Sequence, residues 1–235
     1  MASSPGHRMR AELEESSAVF ARAASLDVAA SLSALDLPSA QAIYTVARGS
    51  SDAAANILSY EFMRELAKPM TSLPPSVFSV GQGVRMDGAL GMVISQSGAS
   101  EDLVRSTQGI KDRGGRVVAV TNEPDSRVEA AADFTLAIGA GKERAVPATK
   151  TVIGSVGAGL SLLAALKPDY AEGLRQSASA FAGVGNLPTN EHQTLRAALL
   201  RARHVYVVGR DTGFGAAHEI ALKIKETCAI HAEAY

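Results

Sequence analysis

Tryptophan is absent from this sequence, cysteine occurs once, and aromatic residues make up 5% of 235 positions. A single thiol, Cys228, excludes a disulfide framework and fits a reducing cytosol. So few rings leave no aromatic platform on which a sugar could stack. No apolar run approaches the roughly 20 residues of a membrane-spanning helix. Blocks of like charge are missing too: the net charge is −1 and no basic run occurs, which argues against nucleic acid or an anionic membrane as partner. The first ten residues, MASSPGHRMR, lack the apolar core of a secretory signal and read as a frayed end. These absences leave a soluble cytoplasmic α/β protein as the expectation. Alanine, glycine and serine are plentiful, and they suit helices packed closely on a parallel sheet around a small polar ligand.

The hydrophobic pattern supports that architecture. Residues 10–26 (RAELEESSAVFARAASL) set Leu13, Val19, Phe20 and Ala23 at helical spacing, with acids early where a helix dipole favours them. The period then changes, and AIYTVA (42–47), SVFSV (76–80), LGMVIS (90–95), RVVAVTN (116–122) and FTLAIG (134–139) read as five strands. Helices are expected from the end of RGSSD through Met63, from Ser100 to about Lys111, and from Ala148 to Leu166, ahead of Pro168. Apolar strands alternating with helices predict a flavodoxin-like, doubly wound, five-stranded parallel sheet. In that architecture ligands sit at the C-terminal ends of strands, where strand order reverses.

A helical connector (169–182) and a loop, GVGNLP, lead to what reads as a second unit: helix (TLRAALLRA), strand (HVYVVG, 204–209), turn (RDTGFG) and helix (216–230). One strand cannot form a sheet alone, so this unit either docks on the first domain or a partner chain or is cut short, and the second is expected. The organisation predicted is a helical segment over 1–37, a first α/β domain over 38–168, a connector over 169–190, and an incomplete second domain over 191–235.

Two strand ends carry hydroxyl-rich turns. One is VISQSGASED (93–102), with Ser95, Gln96, Ser97 and Ser100; the other is Arg48-Gly49-Ser50-Ser51. A strand-to-helix junction offers free N–H groups and the positive end of a dipole, and hydroxyls add donors, so the pair can cradle a phosphate. Ordinary serine-rich turns, with Ser100 as a helix N-cap, are the alternative. On helix 216–230, Glu219, Lys223 and Glu226 share one stripe. It is either a solvated ion-paired face or, facing a closed pocket, a place where Lys223 keeps Glu226 ionised as a base. Other motifs fail. GAGKE (139–143) has Glu143 where a phosphate loop needs Ser or Thr, HEIAL (218–222) lacks the second zinc histidine, and GRDTGFG misses the dinucleotide spacing. Cys228 is expected in the core.

Taken together, ISQSGASEDL, ARGSSD, AVPATK and ALKIKETCAIHAEAY resemble the SIS (sugar isomerase) domain proteins. The likeness is nearest to the isomerase half of glutamine–fructose-6-phosphate aminotransferase and to stand-alone relatives, which include SIS-type glucosamine-6-phosphate deaminases. The opening MRAELEES is similar to the N-terminal helix of that stand-alone group. The resemblance implies two SIS units, usually dimerised, binding a hexose 6-phosphate or aminosugar phosphate with no metal or organic cofactor. It implies phosphate contacts from Ser95, Gln96, Ser97 and Ser100, with Ser51 beside them. AVPATK matches a sugar-contacting loop, commonly V-A-S-T-K, through Val146 and Lys150, while Pro147 and Ala148 replace Ala and Ser. Glu226 falls on the catalytic glutamate that moves a proton between C1 and C2, and Lys223 on a lysine one turn earlier. A glutaminase domain, the histidine of a downstream H-G-P segment and a tail lysine are not in this sequence. The activity implied is an aminosugar-phosphate deaminase/isomerase; a non-catalytic sugar-phosphate-binding module, or an isomerase for another hexose phosphate, is the alternative.

Overall fold

The computed structural model describes residues 5–184 and 188–235, so Gly185, Asn186 and Leu187 of GVGNLP and the first four residues of the chain lie outside the described residues. Three short helices come first: α1 (His7–Glu14), α2 (Ser16–Ala23) and α3 (Ala29–Leu35). The region expected to fray thus contributes residues 7–10 to α1. Leu13 is exposed and Glu12 is buried instead, because the Glu12 carboxylate accepts the backbone N–H of Arg144 at 2.5 Å and of Ala145 at 3.1 Å.

The next segment builds the main sheet: β1 (Ala42–Val46), α4 (Ser50–Leu66), β2 (Met70–Ser72), α5 (Ser76–Ser79), β3 (Ala89–Ser95), α6 (Glu101–Asp112), β4 (Arg116–Thr121), α7 (Arg127–Ala131) and β5 (Phe134–Ala137). All pairings are parallel and the order is β2-β1-β3-β4-β5, the flavodoxin-like arrangement. Strand pleating sends alternate residues to opposite faces. Leu90, Met92 and Ile94 pack with Val118 and Val120 against α2, α4 and the long helix α8 (Lys150–Leu166), whereas Val93, Val117 and Ala119 meet Phe78, Leu103 and Ile110 on the other side. Helices after β1 and β3 therefore lie on opposite faces, and the crevice between those two strand ends is the switch point.

One strand moved. SVFSV is not extended: residues 76–79 form a helical turn, and the edge strand is the three-residue β2. Pro74 and Pro75 precede the turn, and Pro75 has φ −54° and ψ −29°, already helical, which is the geometry proline favours at a helix start. Its Phe78 buries against α6.

After α8 come α9 (Pro168–Ala182), α10 (Thr189–Leu199), β6 (His204–Val207), α11 (Thr212–Cys228) and β7 (His231–Ala234). β6 does have a sheet partner, β7, paired in parallel from His204↔His231 to Val207↔Ala234. The segment β6–α11–β7 reproduces β1–α4–β2. Both helices are 17 residues long, and both are preceded by the same unusual turn, Gly49 at φ 57°, ψ −131° and Asp211 at φ 57°, ψ −136°. Both are closed by a left-handed alanine, Ala67 (φ 52°, ψ 37°) and Ala229 (φ 52°, ψ 29°). RDTGFG is thus only half a turn, since α11 begins at Thr212 and runs through Gly213 and Gly215. Glycine is needed at 215: a Cβ there would sit 2.7 Å from the Ala53 carbonyl oxygen of α4. The two repeat helices pack at that close approach. Among the described residues, no helix is long and apolar enough to cross a membrane.

Candidate functional site

The turn after β3 is shaped from below. Gly98 donates its N–H to Ser95 Oγ at 3.0 Å, and its carbonyl accepts from Val128 at 2.9 Å. Gly98 is left-handed (φ +57°), and a Cβ there would fall 2.1 Å from Ser126 Oγ. Ser126 is itself fixed, as N-cap of α7 in a capping box with Glu129. The Asn122 N–H holds the Gln96 carbonyl at 3.1 Å.

Ser100 occupies the N-cap position of α6, yet its hydroxyl makes no capping bond. The backbone of Leu103 is held by Asp102 Oδ1 and by the Ser100 carbonyl, both at 3.0 Å. The structure gathers Ser51, Ser95, Gln96, Ser97 and Ser100 on one cleft of about 180 Å³ at the ends of β1 and β3. Ile94 and Leu103 complete its apolar lining, and among the described lining residues Arg48 is the one charged side chain.

The other sequence candidates lie elsewhere. Val146 is 93% exposed on its loop. Lys150 is 3% exposed, with Nζ 2.8 Å from Glu15 Oε2 at the α1–α2 junction. Neither lines the cleft. Burial explains the lysine, since a buried ammonium needs a partner and Glu15 is the one in reach. The same loop is organised by Glu143, whose carboxylate takes the Thr149 N–H at 2.9 Å, the Thr151 N–H at 3.3 Å and both threonine hydroxyls. A glutamate in GAGKE therefore has a structural task.

On α11, Lys223 Nζ lies 2.5 Å from Glu226 Oε2 and 3.4 Å from Glu219 Oε1. Lys223 and Glu219 are each 17% exposed and Glu226 33%, so the stripe is not a freely solvated face. It borders the turn that carries Ser51: Ser50 neighbours the Glu219 carboxylate, and Leu222 Cδ2 is 4.0 Å from where a Gly49 Cβ would stand. Lys223 and Glu226 do not themselves line the cleft. Cys228, expected in the core, is exposed at the end of α11, 3.4 Å from Thr227 Oγ1. Sequence reasoning missed Arg48, Glu143 and the Glu12–Glu15 strap. Only Arg48 had a visible signal, its position at a strand end.

Burial pushes the Glu219 carboxyl above its ordinary value, against the opposing pull of Lys223 and of Ser50. Its Oε2 is buried with no hydrogen-bond partner. Below the unfolded carboxylate value the group is neutral in both states and costs nothing. As pH rises from there through the raised folded value, the unfolded chain ionises freely in water while the folded chain keeps its proton and then charges a poorly solvated group, so stability is lost. Glu219→Gln is therefore expected to raise Tm by about 2–4 °C at pH 7–8 and to leave it unchanged near pH 4, roughly 1 kcal/mol for a chain of this size. Melting curves across pH check this, and a gain independent of pH would assign the effect to something other than titration.

Among the described residues, no group of three or more His, Cys, Asp or Glu side chains is placed to hold a metal. The SIS domain matches residues 36–165. The chain belongs to the SIS domain family. It is 32% identical over 213 residues to the isomerizing glutamine–fructose-6-phosphate aminotransferase of Pyrobaculum aerophilum, an alignment spanning 85% of this chain and 34% of that one. The corresponding enzyme of Symbiobacterium thermophilum gives 32% over 219 residues, 87% of this chain and 35% of the relative. This SIS chain thus spans about a third of the length of those curated relatives. Among solved structures, a protein described as a phosphosugar isomerase from Silicibacter pomeroyi superposes with TM-score 0.87 at 37% identity, over 97% of this chain and 71% of that one. The glucosamine-6-phosphate deaminase of Thermotoga maritima shares the fold, with TM-score 0.74 at 19% identity over 97% of this chain and 69% of that one.

Proposed function

We propose that this SIS protein grips a hexose 6-phosphate by its phosphate and deaminates an aminosugar phosphate, converting glucosamine 6-phosphate and water to fructose 6-phosphate and ammonia. The observation that supports it is the convergence of five hydroxyl or amide residues on one strand-end cleft, beside a carboxylate–ammonium–carboxylate stripe on α11. After ring opening, Glu226 takes the proton from C2 of the open-chain aldose. An enolamine forms as O1 takes up a proton, and the proton held by Glu226 returns at C1 while the nitrogen gives one up, leaving an imine at C2. Water adds to that carbon and ammonia departs. Lys223, hydrogen-bonded to Glu226, orients the carboxylate, and no metal or organic cofactor enters the scheme. The same proposal takes 38–168 as one SIS unit, 191–235 as the opening of a second, and the working form as a homodimer.

The test is thermal shift and ammonia release with glucosamine 6-phosphate. Ligand at a hundredfold excess over Kd stabilises by about 2.7 kcal/mol. The expected result is a Tm rise of several degrees that is lost in Ser95→Ala/Ser97→Ala, together with turnover. Binding that survives the double substitution would remove the cradle from the scheme. A second reading has an observation in its favour, that Lys223 and Glu226 stand outside the cleft lining. Stabilisation without ammonia release would make the protein a sugar-phosphate-binding module.

A further inference from the structure

Arg48 follows β1 directly and lines the same cleft as Ser51, Ser95, Ser97 and Ser100. It is the only charged side chain among the described lining residues. Its Nε lies 3.2 Å from Asp102 Oδ2, with side-chain exposures of 59% and 28%. Asp102 is held in turn, its other oxygen accepting the Leu103 N–H in the first turn of α6 at 3.0 Å. The guanidinium therefore spans the two strand ends, anchored by one edge. Engaging Nε leaves the two Nη groups with four N–H donors, in the planar fork that matches phosphate.

The hydroxyls, amides and helix ends of this cleft carry at most partial charge, whereas a sugar phosphate near neutral pH approaches a dianion. A cradle of neutral donors alone leaves that charge uncompensated. We infer that Arg48 is the charge-recognising residue of the cleft, setting its preference for a doubly ionised phosphate, and that Asp102 acts as a positioning residue holding the guanidinium over the mouth of the cleft. This rests on the sugar-phosphate reading above and extends it to a residue and a selectivity. The pair is too exposed to matter much for folding, since exposed ion pairs contribute little. That is what separates a ligand-reading role from a structural one.

The experiment compares wild type, Arg48→Gln, Arg48→Lys and Ser95→Ala/Ser97→Ala, with inorganic phosphate and glucosamine 6-phosphate as probes in calorimetric titrations. Arg48→Gln is expected to weaken both probes tenfold or more and to leave the unliganded Tm within about a degree of wild type. It should also flatten two dependences: the loss of affinity with added salt, and the rise in affinity as pH passes through the second phosphate ionisation near 6. Arg48→Lys should restore most of the salt and pH response but only part of the affinity, because an ammonium lacks the fork. If Arg48→Gln binds as wild type does while the serine double variant fails, the inference falls and the sugar-phosphate reading stands. Wild type that binds inorganic phosphate in an Arg48-dependent way but ignores the sugar phosphate keeps the inference and removes the reading. If wild type binds neither probe, both fall.

Discussion

Glu226→Gln is expected to reduce ammonia release from glucosamine 6-phosphate by roughly 10²–10⁴-fold while leaving Kd for the sugar phosphate within about twofold. The substitution keeps the shape of the side chain and leaves an amide oxygen to accept the bond from Lys223 Nζ, which now spans 2.5 Å to the carboxylate. What it removes is a group able to take a proton from carbon. Glu226 does not line the hydroxyl cleft, so the phosphate handle is untouched and the loss should appear in kcat rather than in binding. Steady-state kinetics beside calorimetry separate the two. Turnover within tenfold of wild type would place the base elsewhere, with Glu219, 3.4 Å from the same ammonium, as the alternative carboxylate.

Gly98→Ala carries the second large effect, on stability and the cleft together. A left-handed alanine costs about 1–2 kcal/mol, and the new Cβ would also stand 2.1 Å from Ser126 Oγ and 2.4 Å from Ser126 Cβ. Ser126 is locked as the cap of α7, so the turn must move instead, taking Ser95, Ser97 and Ser100 with it. A loss of about 3 kcal/mol, or roughly 6–12 °C in Tm, is expected, with weakened phosphate binding in whatever folds. A double-substitution cycle isolates the contact. Ser126→Gly removes the obstructing atoms, so Gly98→Ala should cost clearly less in that background than in wild type, where strict additivity would show that the clash is not the cause.

Where local chemistry suffices, the fold is legible in the chain. The apolar β-branched runs of β1, β3 and β4 have no alternative to a sheet buried on both faces, and the Gly114-Gly115 pair ends α6 within two residues of its expected stop. Legibility fails where a pattern admits two answers. SVFSV has the β-branched and aromatic residues of a strand, but the two prolines before it set a helical turn. RDTGFG looks like a loop because glycine is a poor helix former, and its place in α11 becomes intelligible only from the carbonyl of Ala53 pressed against Gly215. β7, spelled HAEA, has no β-branched residue at all; β6 makes it a strand.

The candidate site divides in the same way. The hydroxyls sit at strand ends in the sequence itself, because a parallel sheet presents its junctions on one edge whatever the side chains do. Folding decided which groups share that edge and which are engaged elsewhere. Lys150 went to Glu15, since a 3% exposed ammonium must be neutralised nearby. Arg48 came into the cleft because β1 and β3 are neighbours and Asp102 lies across from it. Periodicity and turn chemistry act over a few residues, so the sequence alone determined the layered α/β architecture and the positions of its hydroxyl-rich turns. Pairings between residues such as Arg48 and Asp102, or Glu15 and Lys150, depend on distances that exist only once the sheet order is formed, and those the tertiary structure decided.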